Sequence, residues 1–109
     1  WGDSTTSASR YAWTRENSED HTHPVDTPTP SKCGLYSMIG NVWEWTASAY
    51  RPYPILPGDG RDAPELDEPR VIRGGSFEDA LETLSSGRRE ARDGGSRSNN
   101  LGFRIVRSL

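Results

Sequence analysis

A chain of 109 residues with 13 basic and 16 acidic side chains and a formal net charge of −3 holds one domain at most and offers no electrostatic case for nucleic acid. Its single cysteine, Cys33, excludes an internal disulfide and a cysteine-rich zinc site, and no apolar run approaches the ~20 residues of a membrane-spanning helix. Leu, Ile, Val and Phe supply only 17 of the 109 residues, so any core must lean on Trp and Tyr. A small, loop-rich domain of marginal stability follows, one that a bound ion or a partner surface would help to hold. The chain begins at Trp1 rather than Met, which reads as a fragment, a processed chain or one half of something larger.

Residues 1–20 are polar and rich in Ser and Thr, with no sustained period. Most of this segment is expected to be irregular, with Tyr11-Ala12-Trp13 anchoring a short strand or loop against the core. Over 21–33, His21, His23 and the prolines at 24, 28 and 30 favour an extended, turn-rich path. The densest block follows, from Gly34 to Thr46, and it contains two of the four tryptophans. Gly40-Asn41 is turn chemistry, because both residue types tolerate positive φ. The alternation after it puts Trp43 and Trp45 on one face of a strand, with Val42 and Glu44 on the other. An acid between two tryptophans needs a partner, and a bound cation is one candidate.

Five prolines and the turn Pro57-Gly58-Asp59-Gly60 make 51–70 a long surface loop, of a length that is unusual unless functional or mobile. Arg70-Val71-Ile72-Arg73 predicts a short strand stopped by Gly74-Gly75. Residues 78–84 read as a single helical turn or a loop, and 85–93, with Arg88 to Arg92 at their centre, as a strand of mixed charge. Asp93-Gly94-Gly95-Ser96 is a loop. Leu101, Phe103 and Ile105 then alternate with Arg104 and Val106, which predicts a closing strand over 101–109. There is no internal repeat or heptad. Short antiparallel strands joined by long loops are expected.

Four blocks thus stand in order: Gly34 to Trp45, Arg73-Gly74-Gly75-Ser76-Phe77, Arg88 to Arg92, and Leu101-Gly102-Phe103-Arg104. Together they resemble the C-terminal half of the formylglycine-generating enzyme family, the sulfatase-modifying factors. That pattern reads GLYxMxGNVWEW, RGGS plus an aromatic, a basic strand and LGFR. Trp1-Gly2-Asp3 and Thr22-His23-Pro24-Val25 extend the resemblance over essentially the whole chain. It implies an α+β, loop-rich fold, a variant of the C-type-lectin-like fold with a small twisted antiparallel sheet. It also implies that residues 1–109 are a single domain forming the C-terminal portion of a larger one.

The family's best-known activity oxidises a substrate cysteine to formylglycine with oxygen, using two cysteines that bind copper(I). Soft thiolates suit that ion, so the pair is chemically necessary. Counted without gaps from the Gly-Gly-Ser block, which also brings Arg92 onto the family's arginine, the two positions fall on Asp79 and Leu84. Neither is a thiol, and Cys33, far along the chain, cannot replace two. The resemblance therefore implies neither copper nor formylglycine-generating activity. Ser76 matches a serine beside the family's active site; without the cysteines its role is in the turn.

The family also places a structural calcium on the loop of the tryptophan block, held by a side chain, two backbone carbonyls and a glutamate. Matched residue by residue, these are Ser37, Gly40, Val42 and Glu44, hard oxygen donors of the kind calcium takes. Ser37 stands where Asn or Asp is usual and is the weaker donor. The competing arrangement pairs Glu44 with an arginine such as Arg92 or Arg104. A second family calcium site has its asparagine replaced by Trp13 and is not expected. Bound calcium would favour an extracytoplasmic location.

His21-Thr22-His23 has no third metal ligand and reads as a solvated His21 beside a packed His23. Arg88, Arg89 and Arg92 offer charge to an acidic ligand, but the mixed charge around Glu90 favours strand pairing. Gly74-Gly75-Ser76 lacks the Gly-Lys-Ser/Thr of a phosphate loop. The functional expectation is a non-catalytic binding or assembly domain, a calcium-braced scaffold for a protein partner, a larger assembly or another ligand. Its alternative is an oxygen-dependent enzyme of the formylglycine-generating or sulfoxide synthase type, acting through residues outside this chain. A third reading, a variable ligand-binding protein, rests on Ser98-Asn99-Asn100.

Overall fold

The computed structural model describes residues 5–109, and the Trp1-Gly2-Asp3 match lies outside them. The tryptophan block supplies the hub, strand β1 (Trp43–Ala49). It is launched by Gly40 and Asn41, whose φ angles are 78° and 64°. Only glycine fits the first position, since a Cβ there would lie 2.2 Å from the Trp13 carbonyl oxygen. Two distant segments are stitched to this turn: Asn41 N donates to Trp13 O at 2.8 Å, Gly40 N to Gly74 O at 2.8 Å, and Phe77 N to Asn41 O at 2.8 Å. Tyr11-Ala12-Trp13 therefore anchors a loop as expected, through a bridge between Trp13 and Gly40.

Strand β2 (Arg70–Arg73) occupies the span read from the sequence, and β3 (Arg89–Arg92) lies inside its expected segment. A short β4 (Leu101–Gly102) completes a four-stranded sheet of order β3-β2-β1-β4. β1 and β2 pair antiparallel, with Glu44 opposite Arg73 and a register irregularity between Trp45 and Ala49. β2 and β3 also pair antiparallel, with Arg73 opposite Arg89. β4 runs parallel to β1, Trp43 opposite Leu101. The sheet is thus mixed, which corrects the antiparallel expectation. β3 already runs in the direction of β1, and residues 93–100 carry the chain back across the sheet, so the last strand enters in the same direction.

The closing strand is also shorter than its alternation predicts. Pairing stops at Gly102, and Phe103, Ile105 and Val106 are 75%, 84% and 85% exposed. The next residue but one, Arg104, turns inward to Glu44, and among the described residues no further strand receives the tail. The helical content among the described residues is one turn at Thr5–Ala8 (α1) and a 3-10 turn at Leu81–Thr83, which resolves the segment read as turn or loop. No helix there is long and apolar enough to cross a membrane.

Trp43, Val71, Ile72 and Phe77 make the core with Ala8, Ala12, Ala49 and Ala80. Trp43 is buried while Trp45 is half-buried, so the two share a face unequally. Ser18 and Thr14 inside are bonded: Ser18 Oγ donates to Phe77 O at 3.3 Å and Thr14 Oγ1 to Glu16 at 2.7 Å. The proline-rich loop carries no strand or helix, as expected, but is tied down by arginines. Arg51 pairs with Glu68 at 2.6 Å, and Arg70 donates to the carbonyls of Ala47, Ala63 and Leu66.

Candidate functional site

Of the residues matched to the family's calcium site, Ser37, Gly40 and Val42 lie on the loop before β1, and Arg104 links Ser37 to Glu44. Ser37 sits at φ 49°, buried, with its Oγ donating to Val25 O at 2.8 Å. Glu44 is the second residue of β1. Arg104 reaches it from beyond β4: its Nε donates to Oε2 at 3.0 Å and its Nη2 to Oε1 at 2.7 Å. The same Nη2 donates to Tyr36 O at 3.0 Å and Ser37 O at 3.1 Å. The fork of the guanidinium matches the carboxylate and leaves a donor for the loop carbonyls. These bonds with Glu44 raise the pKa of Arg104 above the ordinary arginine value. Of the two arginines considered as partners of Glu44, Arg104 fills the role; Arg92 lies 3.6 Å from Glu90 instead.

This arrangement bears directly on an ion. The set of four contains one carboxylate, and a guanidinium already neutralises it. The Ser37 hydroxyl donates its hydrogen bond to the Val25 carbonyl, and its oxygen lone pairs are what it can offer an ion. A calcium ion at these oxygens would share the Glu44 carboxylate with a seated Arg104 and be repelled by its charge. Among the described residues there is no cluster of three or more His, Cys, Asp or Glu side chains able to hold a metal. Asn41 closes the other side of the loop through a reciprocal pair with the His23 backbone, at 2.9 and 3.0 Å.

At the positions matched to the copper-binding thiols stand groups engaged with the turn itself. Asp79 Oδ2 accepts from Ser76 N at 2.8 Å and Ser76 Oγ at 3.0 Å, and Oδ1 lies 3.2 Å from Arg88 Nη1. Arg88 also bonds Glu90 at 2.7 Å and lies over the Trp43 ring at 5.0 Å from its centroid. The side chain of Leu84 packs against Gly75, where a Cβ would fall 2.2 Å from Leu84 Cδ2. Ser76 thus serves in the turn, accepting from Glu78 N at 3.2 Å as well. Glu16 closes the neighbouring 3-10 turn by accepting from Leu81 N at 3.1 Å. Its carboxyl is held below the ordinary range, first by the Thr14 hydroxyl. No soft donor is present here for copper(I).

His23 is packed as expected, stacked on Trp13 at 3.8 Å with Nε2 2.7 Å from Ser18 O, and His21 is exposed. Sequence reasoning offered Arg89 to an acidic ligand but set that aside for strand pairing, and it did not foresee that Arg89 converges with Arg61, Arg73 and Tyr53 beside β2 and β3. The only sequence signal of that convergence was an arginine at the end of one predicted strand and another near the start of the next.

The sulfatase-modifying factor enzyme 1-like domain model matches residues 1–109. The chain is 37% identical over 102 residues to the inactive C-alpha-formylglycine-generating enzyme 2 of Mus musculus, covering 85% of this chain and 29% of that protein. It is 32% identical to the formylglycine-generating enzyme of Streptomyces coelicolor, over 97% of this chain and 39% of that one. It is 36% identical to the hercynine oxygenase of Mycobacterium tuberculosis, over 71% and 22%. Among solved structures, Treponema denticola variable protein 1 superposes with a TM-score of 0.75 at 33% identity, over 92% of this chain and 37% of that one. The chain therefore spans less than two-fifths of the length of each of these proteins. With the glycine-asparagine-tryptophan turn, the Gly-Gly-Ser turn and the Arg104 clasp in place, the chain belongs to the family of sulfatase-modifying factor enzyme 1-like domains.

Proposed function

We propose that this chain is a non-catalytic binding or assembly module of the family. The observation that carries the reading is the occupied turn at the matched thiol positions. Asp79 is committed to Ser76 and Arg88, and Leu84 to Gly75, so both positions serve packing. Relatives named as inactive formylglycine-generating enzyme 2 lend it support. A cleft of about 350 Å³ lies beside the Arg104 clasp, lined by Val25, Leu35, Tyr36 and Phe103 above Glu44 and Arg104. All four apolar residues are exposed, which suits a protein partner.

We take the fold to be the C-type-lectin-like α+β variant, a reading supported by the small mixed sheet and sparse helix. Calcium enters the proposal as an exchangeable brace: Ser37, Gly40, Val42 and Glu44 would hold it with Arg104 turned out to solvent. It would contribute stability to the loop and no chemistry. The test is to incubate the full gene-encoded protein with copper(I), oxygen and a cysteine-bearing sulfatase peptide. No aldehyde and no copper-dependent oxygen uptake are expected; aldehyde formation would sink the reading. The likeness to hercynine oxygenase favours one second reading, an oxygen-dependent enzyme acting through residues beyond this chain. Iron-dependent oxygen uptake, with iron(II) supplied in place of copper(I), would select it.

A further inference from the structure

Arg73 and Arg89 face each other directly across β2 and β3. Like charges in that position repel. Neither has a carboxylate partner among the described residues. Arg73 donates to the Tyr53 hydroxyl at 3.2 Å and Arg89 stacks on the Tyr53 ring at 4.0 Å and on Tyr50 at 4.6 Å. A third guanidinium, that of Arg61, arrives from the proline-rich loop with its side chain only 8% exposed. Its Nε and Nη2 are taken by Asp59, at 2.8 and 2.7 Å, but its Nη1 is buried with no hydrogen-bond partner. Charged donors are not left unpaired inside proteins without cost.

These three arginines, with Tyr53, Ser48 and Thr46, line one cavity of about 80 Å³. Asp59 balances Arg61, and Asp62 accepts from the Ser48 hydroxyl, so even with both carboxylates counted the three arginines keep one positive charge in excess. The Tyr53 hydroxyl reports the same field: its pKa is lowered, first by the Arg73 hydrogen bond and then by the charges of Arg89, Arg73 and Arg61. The volume admits a group of a few heavy atoms and excludes a sugar ring or a nucleotide. Guanidinium forks are built to receive planar or tetrahedral oxyanions.

We propose that this cavity is an oxyanion site, with Arg73 and Arg89 gripping the group and buried Arg61 lining its inner wall. The ligand is a single carboxylate, sulfate or phosphate group, either free or carried at the end of a larger molecule. The site stands apart from the turn at Asp79 and Leu84 and does not depend on the non-catalytic reading. Side-chain NMR of the arginine Nε–H groups in the full gene-encoded protein tests it, with sulfate, phosphate, acetate and N-acetyl-aspartate amide titrated at constant ionic strength against chloride. At least one anion is expected to shift a subset of signals saturably. Arg89→Gln should weaken binding at least tenfold, while Arg97→Gln, an equal charge change at an exposed position, should leave it unaltered. Arg89→Lys keeps the charge but loses the fork, and provides a milder loss if the glutamine variant fails to fold. Tighter binding of sulfate or phosphate assigns the site to a tetrahedral anion; tighter binding of acetate and the aspartate amide assigns it to an acidic side chain. A linear, chloride-like response that Arg89→Gln and Arg89→Lys leave unchanged would overturn the proposal.

Discussion

Replacing Arg104 with glutamine removes the clasp between the chain's last strand and its central loop. The lost bonds are the charge-assisted pair on Glu44, at 3.0 and 2.7 Å, and the contacts with Tyr36 O and Ser37 O. The pair is half-buried, its side chains 30% and 23% exposed, so neither limit for an ion pair applies. Exposed pairs contribute about 0–1 kcal/mol, whereas stranding one member of a buried pair costs about 3–5 kcal/mol. A loss of roughly 2 kcal/mol is expected, between these limits and in the range for hydrogen bonds to charged groups. Urea unfolding of the full gene-encoded protein measures it, in a cycle with Glu44→Gln and the double variant. The expected coupling exceeds about 1 kcal/mol, because each single change leaves the other partner unpaired. The cycle also interrogates calcium: with Arg104 gone, Glu44 and the loop carbonyls are released for an ion. Millimolar calcium should then raise the melting temperature of Arg104→Gln more than that of wild type, and should not stabilise Glu44→Gln. A coupling near zero would refute the clasp, and equal calcium responses in all three proteins would refute the exchangeable brace.

Gly40→Ala should be severely destabilising, by more than about 3 kcal/mol or to the point of no folded protein, since the clash is with rigid backbone at 2.2 Å from Trp13 O and φ is positive; soluble yield and circular dichroism check it. The Asp59 carboxyl is held at about 2, below its unfolded value of 3.8, chiefly by the side-chain hydrogen bond from Arg61. Its folded-state pKa is depressed, so its contribution to stability is fully present above pH ~4 and is lost as the pH falls towards ~2. Asp59→Asn should flatten the acid limb of stability in that window, and an unchanged limb would count against the pairing.

Much of the local structure was legible. Gly40-Asn41 announces a turn because few other residues accept positive φ, and Arg70 to Arg73 ends where Gly74-Gly75 stops it. That Asp79 and Leu84 are not thiols was equally plain from residue type, while their match to the family's copper-binding positions rests on the resemblance. Each of these features is decided by neighbours in the chain. The partner of Glu44 was not: Arg92 and Arg104 were equivalent candidates until the parallel return of β4 delivered one of them. The same return ended the closing strand at Gly102, where alternation had predicted pairing to continue. The arginine cavity lay further out of reach, since Arg61 comes from an irregular loop and meets Arg73 and Arg89 only through the register of β2 and β3. Alternation and turn chemistry act over a few residues and are written in residue type, whereas strand direction, register and the meeting of charges across sixty positions follow from how the whole chain packs.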